Sequence, residues 1–294
     1  MGKILFGIGC DLYSSRIGMT NMPIATHMIN EPPPANLSQI GLEWYAPHPV
    51  LSHWIQCYWT VKSPQPLQSV LTENLYPDGG TTLILDFSAK AIPHVSFNAF
   101  FHINKIQFTG QVDRLGIRFH PGGAYQLLGL EMSLVLDKEC FVDDLNVQSF
   151  NNLQEQLATK ITTADRIEAI NDWFLHKAIK THSRQNYIQN ILALIKQPQL
   201  SIAEAMTHIP MSRRQLERKF QLEVGIAPAR IKQLNQIKQA RLMITRNPSI
   251  SLAQVALETG FYDQAHFIRQ FQKITGQTPG QYRQKKMSQK YNSK

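Results

Sequence analysis

Between Glu43 and about His120 the apolar residues recur at every second position. In Ile55-Gln56-Cys57-Tyr58-Trp59-Thr60-Val61, the residues Ile55, Cys57, Trp59 and Val61 share one face, and Leu115, Ile117 and Phe119 do the same after Asp113-Arg114. That alternation predicts half-buried strands. Turn signals at Pro64-Gln65-Pro66 and Pro77-Asp78-Gly79-Gly80 separate the runs at spacings that suit an antiparallel sheet or barrel. Pro121-Gly122-Gly123 ends the last strand, and a short helix is expected over Ala124 to Leu128.

After about Val147 the period becomes helical. Leu153 and Leu157 fall on one stripe and Ile167, Ile170, Phe174 and Ala178 on another, with Thr162 and Asp165 at capping-box spacing. No strand pattern recurs beyond this point, and the rest reads as short helices broken at Pro198, Pro210, Pro228, Pro248 and Pro279. The fold class expected is α+β: a β-rich, barrel-like amino-terminal domain, a helical linker and an all-α carboxyl-terminal domain with two helix-turn-helix units. The boundaries expected are a flexible arm at 1–35, a β-rich sensor or dimerisation domain at 36–148, the linker at 149–182, the double helix-turn-helix domain at 183–285 and a basic tail at 286–294.

The strongest signal is an internal repeat offset by 51 residues. Ser212-Arg213-Arg214-Gln215-Leu216-Glu217-Arg218-Lys219-Phe220-Gln221 lies over Asp263-Gln264-Ala265-His266-Phe267-Ile268-Arg269-Gln270-Phe271-Gln272, and Gly225-x-x-Pro228-x-x-Ile231 lies over Gly276-x-x-Pro279-x-x-Tyr282. Each copy opens on a helix-capping residue and closes with Gly and then Pro. Leu216 and Phe220, and likewise Phe267 and Phe271, are expected to be buried. The opposite face then carries Arg214, Glu217, Arg218 and Gln221 in one copy and Ala265, Ile268, Arg269 and Gln272 in the other. Arg213, Gln215, Gln264 and His266 in the first turns complete the candidate contact set. Arg pairs with guanine and Gln with adenine in the major groove, and apolar side chains touch thymine methyls. A solvated helix face is the bland alternative for either helix alone.

Composition bounds this reading. The 294 residues favour two domains, and 43% hydrophobic with 17% charged residues exclude a disordered or low-complexity chain. The net charge of +9 is unevenly divided: residues 1–182 hold 12 Lys/Arg against 16 Asp/Glu, while residues 183–294 hold 18 against 5. A concentrated basic segment beside a mildly acidic one fits a polyphosphate-binding module joined to a separate regulatory module. Cys10, Cys57 and Cys140 are scattered, without metal or disulfide spacing, which fits a reducing cytoplasm. Lys3 followed by Ile4-Leu5-Phe6-Gly7-Ile8-Gly9-Cys10 imitates a signal peptide, but the apolar stretch is too short, and no run is long enough to span a membrane.

Residues from about 185 to 285 resemble the DNA-binding module of the AraC/XylS family of bacterial transcription regulators. The resemblance rests chiefly on Ser251-Leu-Ala-Gln-Val-Ala256-x-x-x-Gly260-Phe261-Tyr-Asp-Gln-Ala-His266-Phe267-x-Arg269-x-Phe271, continuing to Gly276-x-x-Pro279-x-x-Tyr282-Arg283. It implies two helix-turn-helix units joined by a long helix from about Ala229 to Thr245, with recognition helices near 212–222 and 263–273 docking in successive major-groove segments. It further implies a transcription regulator with double-stranded DNA as partner; RNA polymerase and a second copy of the chain in a homodimer are candidate partners, and an activator is the kind expected, although the sign of regulation and the oligomeric state are not legible in the sequence. The chain departs from the family's pattern at Met206, Pro210 and Gln236, all of which bear on the first unit. Lys285, placed beyond the last helix, is expected to touch only phosphate. Trp59, Pro77-Asp78-Gly79, Gly110 and Gly116-Ile-Arg118-Phe119-His-Pro121-Gly122-Gly123 resemble an uncharacterised amino-terminal domain found before this module.

Other chemistry finds little support. His48, His53, His94, His102 and His120 lack a metal-ligand spacing, and Asp78, Asp86 and Asp113 are not paired. No nucleophile elbow, P-loop or dinucleotide fingerprint occurs. No enzymatic activity, no cofactor and no metal are therefore expected. The rival reading is a β-barrel enzyme or DNA-repair type protein fused to a nucleic-acid-binding module, which would need an activated residue cluster in the barrel. Aromatic residues of the β-rich part are core more often than ligand contacts, yet Trp44, Tyr58, Trp59, Tyr76 and Phe119 are the candidates for holding a small effector inside a barrel.

Overall fold

A computed structural model describes residues 40–88, 92–145, 149–181, 187–195, 197 and 200–291. The amino-terminal arm with Cys10, the end of the expected linker and Pro198 lie outside the described residues. The chain is α+β. Among the described residues eight strands come first: β1 (Glu43–Tyr45), β2 (Ile55–Lys62), β3 (Leu67–Leu75), β4 (Thr81–Asp86), β5 (His94–Asn98), β6 (Asn104–Gly110), β7 (Asp113–Phe119) and, after helix α1 (Gly123–Leu128), β8 (Glu139–Phe141). Six form one antiparallel sheet in the order β1-β2-β7-β4-β5-β8, and β3 pairs with β6 as a separate ribbon.

The period-two pattern decides which face each side chain takes. Tyr58, Leu83, Leu85, Phe97, Leu115, Ile117 and Phe119 point to one side and share a core with helices α2 (Ser149–Ala158) and α3 (Thr163–Thr181). There Phe97 meets Phe150 edge-on at 5.7 Å and Phe119 meets Phe174 at 5.6 Å. The Tyr58 hydroxyl donates to Asn171 Oδ1 at 2.8 Å. The helices between 149 and 181, expected as a linker, are thus a packed layer on the sheet. Thr162 caps α3 as its spacing predicts, accepting from Asp165 N at 3.1 Å. On the other side Val61, Trp59 and Leu42 meet Phe108, Ile106, Leu67 and Leu71 of the ribbon. Ile55 does not share the face of Cys57, Trp59 and Val61: the register of β2 on β7 shifts between Ile55 and Cys57, and this bulge turns Ile55 into the helix-side core.

The carboxyl-terminal part is helical throughout its described residues: α4 (Tyr187–Ile195), α5 (Ile202–Thr207), α6 (Arg213–Glu223), α7 (Pro228–Arg246), α8 (Leu252–Glu258), α9 (Gln264–Thr275) and α10 (Pro279–Tyr291). Two cores result. Ile188, Ile191, Ile195, Ala205, Leu216, Phe220 and Ile231 form the first, and Leu234, Ile237, Ala240, Val255, Phe267, Phe271 and Tyr282 the second. The long helix α7 is common to both, contributing Ile231 to one and Leu234, Ile237, Ala240 and Ile244 to the other.

The two parts meet closely. Phe101, from the loop before β6, is buried in the second helical core. The Gln126 amide donates to Glu223 Oε2 at 3.1 Å, and the Gln277 amide donates to the Tyr76 hydroxyl at 2.9 Å. Gly79, at φ +82, brings the β3–β4 turn so near to α7 that an added Cβ would stand 2.3 Å from Ile231 Cδ1. Beside it Asp78 binds Arg118 of β7 and Lys238 of α7, the latter at 3.1 Å, and accepts from the Gly80 amide at 3.0 Å. Burial would raise this carboxyl's pKa, but the Arg118 and Lys238 charges and the Gly80 amide outweigh it and hold Asp78 well below the usual carboxylate range.

Replacing Asp78 with Asn leaves Arg118 and Lys238 without their shared counter-charge. We expect a loss of roughly 3 kcal/mol in unfolding free energy, the lower end of what removing one partner of a buried pair costs, read by denaturant titration. Because this carboxyl titrates lower in the folded chain than in the unfolded one, its stabilisation is present above about pH 4 and is lost as the pH falls through the folded-state value. The gap between wild type and D78N should hold from neutral pH to about pH 5 and narrow progressively below about pH 4. A gap that does not narrow under acid would exclude the charge as its source.

Candidate nucleic-acid interface and the cavity behind it

Each expected recognition helix is the second helix of a helix-turn-helix pair. In the first pair Ser201 caps α5 and Ser212 caps α6, each through a complete capping box. In the second, Ser251 caps α8, and Asp263 caps α9 by accepting from His266 N at 2.6 Å. Gly276, at φ +71, ends α9, the left-handed closure that its place in the repeat predicts. Helices α6 and α9 bury Leu216 with Phe220 and Phe267 with Phe271, so the face assignment made from spacing holds at its centre.

The outward faces are not uniform. Arg214 and Arg218 on α6, and Gln264, Ala265, Arg269 and Gln272 on α9, are exposed, and none of their side chains has a hydrogen bond or ion pair among the described residues. The other candidates have internal partners. Arg213 donates to Glu217 at 2.9 Å in an exposed pair one turn apart, a contact of small energetic value. The Gln215 side chain closes the Ser212 capping box, accepting at 2.9 Å from the Ser212 amide, and the Gln221 amide donates to the Gly225 carbonyl at 2.9 Å. His266 is half-buried with its ring edge-on to Phe261 at 5.5 Å. Ile268, expected to point outward, is half-buried against the second core, because it lies only one helical step of about 100° from Phe267.

Some neighbouring residues were not singled out by the spacing. Tyr262 is 96% exposed in the turn that leads into α9, and Leu257 is 71% exposed at the end of α8. Exposed large apolar side chains beside a recognition helix are the one signal that could have marked them, and exposure is not visible in a single sequence. Gln236, where the family pattern has Arg, donates to the Gly260 carbonyl at 3.1 Å and so ties α7 to the turn of the second unit. Lys285 is not beyond the last helix: with no breaker after Pro279-Gly280, α10 runs on to Tyr291, and Lys285 stands at the rim of an internal cavity.

That cavity, of about 260 Å³, lies between the ribbon side of the sheet and helices α7 and α10. Trp44, Trp59 and Tyr76 line it, as the aromatic pattern anticipates. Tyr58 and Phe119 do not; both are fully buried on the opposite, helix-facing side of the sheet. The wall beneath Trp59 is Gly116, where an added Cβ would stand 2.0 Å from the indole. The roof supplies Lys238, Arg241, Tyr282 and Lys285, with the Arg241 guanidinium 3.7 Å from the centre of the Tyr76 ring. Cys57 also lines the cavity, and burial pushes its thiol up to about 12 against the opposing pull of Arg118 and Lys238. Among the described residues no three His, Cys, Asp or Glu side chains converge as a metal site would need, and no helix is long and apolar enough to cross a membrane.

Comparison with known proteins assigns both parts. Residues 205–285 match a family described as a helix-turn-helix domain, and residues 43–141 match a domain of unknown function, DUF6597. The arabinose operon regulatory protein of Escherichia coli K12 is 34% identical over 136 residues, 45% of this chain and 42% of that protein. The transcriptional regulator MtrA of Neisseria gonorrhoeae is 36% identical over 73 residues, 25% of this chain and 24% of that one. The matches therefore span less than half the length of these relatives. The crystal structure of ToxT from Vibrio cholerae aligns with 77% of this chain and 96% of its own at 13% identity and a TM-score of 0.38, too loose a likeness to transfer positions. The carboxyl-terminal module of this chain is an AraC-type double helix-turn-helix domain, joined to an amino-terminal domain of the DUF6597 family.

Proposed function

We propose that this protein is a sequence-specific DNA-binding transcription regulator, that α6 and α9 read adjacent major-groove segments, and that the β-rich domain senses a small molecule or holds a dimer. The observation that carries the reading is the pair of repeated, capped helices with Arg218 and Arg269 at equivalent exposed positions. Arg214, Arg218, Gln264, Ala265, Arg269 and Gln272 are the base-reading candidates with side chains uncommitted among the described residues. Arg213, Gln215, Glu217, Gln221, His266 and Ile268 frame them, and would need to exchange internal contacts for DNA. Helix α7 has 19 residues, about 28 Å at 1.5 Å per residue, a span that suits two recognition helices about one DNA turn apart once helix widths are added.

The domain division proposed is 36–148 for sensing or dimerisation, 149–182 as a helical layer upon it, 183–285 for DNA and 286–294 as a basic extension. RNA polymerase, a second copy of the chain and a cytoplasmic setting complete the proposal, with no enzymatic activity. The rival reading, an enzyme or DNA-repair type protein, loses support from the Cys57 thiol, whose raised pKa makes it a poor nucleophile.

On a site recovered by selection from random duplexes, Arg218→Ala and Arg269→Ala should each cost about 1–3 kcal/mol and relax preference at particular base pairs. Affinity should fall with salt at roughly 0.9 log units per phosphate neutralised, per log unit of salt. Equal losses on selected and random DNA would remove both helices as readers. In footprints, a monomer should protect two adjacent groove segments. Gln236→Pro, at a cost of roughly 3 kcal/mol or more in a helix interior, should leave only one.

A further inference from the structure

The cavity carries unpaired chemistry of two kinds. Glu73 of β3 is only 5% exposed, lines the cavity, and has a carboxylate oxygen, Oε1, that is buried without a hydrogen-bond partner among the described residues. The indole N–H of Trp44, which also lines the cavity, is likewise buried and without a partner among those residues. A buried carboxylate oxygen left unsatisfied is costly unless a ligand brings a donor to it. The indole asks for the reverse, an acceptor. The walls also carry polar side chains, Gln56, Asn74, Thr82 and Asn98 among them, together with the apolar or aromatic Trp59, Ile106 and Phe108 from the strands and Tyr76 beside the roof.

Charge divides the space in the same way. The strand side contributes Glu73, whereas the roof helices α7 and α10 contribute Lys238, Arg241, Lys285 and Lys286. Asp78 answers Lys238 and Arg118, whereas Lys285 at the rim has no hydrogen bond or ion pair among the described residues and keeps the roof positive. A simple cation would meet Glu73 but face that roof, and a simple anion would suit the roof but leave Glu73 unanswered.

We propose that the cavity binds a small zwitterion of amino-acid type with an aromatic or branched apolar side chain, its ammonium group on Glu73, its carboxylate towards Trp44 Nε1 and the basic roof, and its side chain among Trp59, Ile106 and Phe108. The inference rests on the reading of the β-rich domain as a sensor and adds the class of molecule sensed. It also makes α7 and α10 part of the binding site, so the ligand touches the helices that carry and flank the DNA-reading units.

The test uses the full-length protein and calorimetric titration with three probes: L-phenylalanine, phenethylamine, which lacks the carboxylate, and 3-phenylpropionate, which lacks the ammonium group. Phenylalanine should bind at least about tenfold more tightly than either truncated probe. Glu73→Gln should weaken phenylalanine by about tenfold or more and leave phenylpropionate unchanged. Without ligand, E73Q should melt at a temperature equal to or higher than that of wild type, since it removes an unanswered buried charge; a lower melting temperature would make Glu73 a structural residue and overturn the proposal. Tightest binding by phenylpropionate, unaffected by E73Q, would overturn the zwitterion while leaving the sensor reading intact. Failure of all three probes, in parallel with failure of leucine and tryptophan at millimolar concentration, would overturn the ligand class.

Discussion

Helix α7 is the constraint around which the structure is arranged. One face gives Ile231 to the first helical core, another gives Leu234, Ile237, Ala240 and Ile244 to the second, and Lys238 and Arg241 are left for the β-rich domain. A helix engaged on three sides cannot slide or rotate alone, because it must carry the cores packed on it, so its position couples α6 and α9. One close approach of the β-rich domain to α7 is the Pro77-Asp78-Gly79 turn, and Gly79 is required there because a side chain would displace Ile231. The ionic contact at Asp78 and the van der Waals contact at Gly79 are adjacent residues of one turn, so charge and shape act at the same point.

The strongly basic segment consequently serves two surfaces. Arg214, Arg218 and Arg269 face solvent, but Arg230 donates to the Phe101 carbonyl at 3.3 Å, Arg283 donates to the Ile250 carbonyl at 2.7 Å, and Lys238 answers Asp78. A count of Lys and Arg along the chain therefore overstates the charge available to phosphates and conceals the charge that holds the domains and lines the cavity. The domain that presents Arg214, Arg218 and Arg269 outward on α6 and α9 lines the cavity roof with Lys238, Arg241 and Lys285 on α7 and α10.

The repeat was legible because every feature that defines it is local: a capping Ser or Asp, two aromatic or aliphatic residues four apart, and a Gly before Pro. Each operates within one or two turns of helix, and the helices formed within a residue or two of where those signals placed them. Features that depend on partners distant in the chain were less legible. Ile55 continues the alternation of β2 on paper, yet a bulge opposite β7 reverses its face. Tyr58 and Phe119 look like any aromatic strand residues, and only the packing of α3 decides that they are core rather than cavity. The helices at 149–181 show their apolar stripe plainly but not the sheet that receives it. Glu73 and Trp44 matter because Glu73 Oε1 and the Trp44 indole N–H lack hydrogen-bond partners among the described residues, a property that no residue displays until its surroundings are known.

The roof of the cavity has one further consequence. Since α7 and α10 close the cavity on one side and belong to the helix-turn-helix domain on the other, an occupant that favours one arrangement of that domain over another would, under the proposed function, be thermodynamically linked to DNA. Linkage is reciprocal: the factor by which an occupant changes affinity for DNA is the factor by which DNA changes affinity for the occupant. Under the proposed function, a chain built this way would be as much a DNA-gated receptor as a ligand-gated regulator, and at a promoter it would hold its small molecule with a different affinity from that of the same protein free in solution.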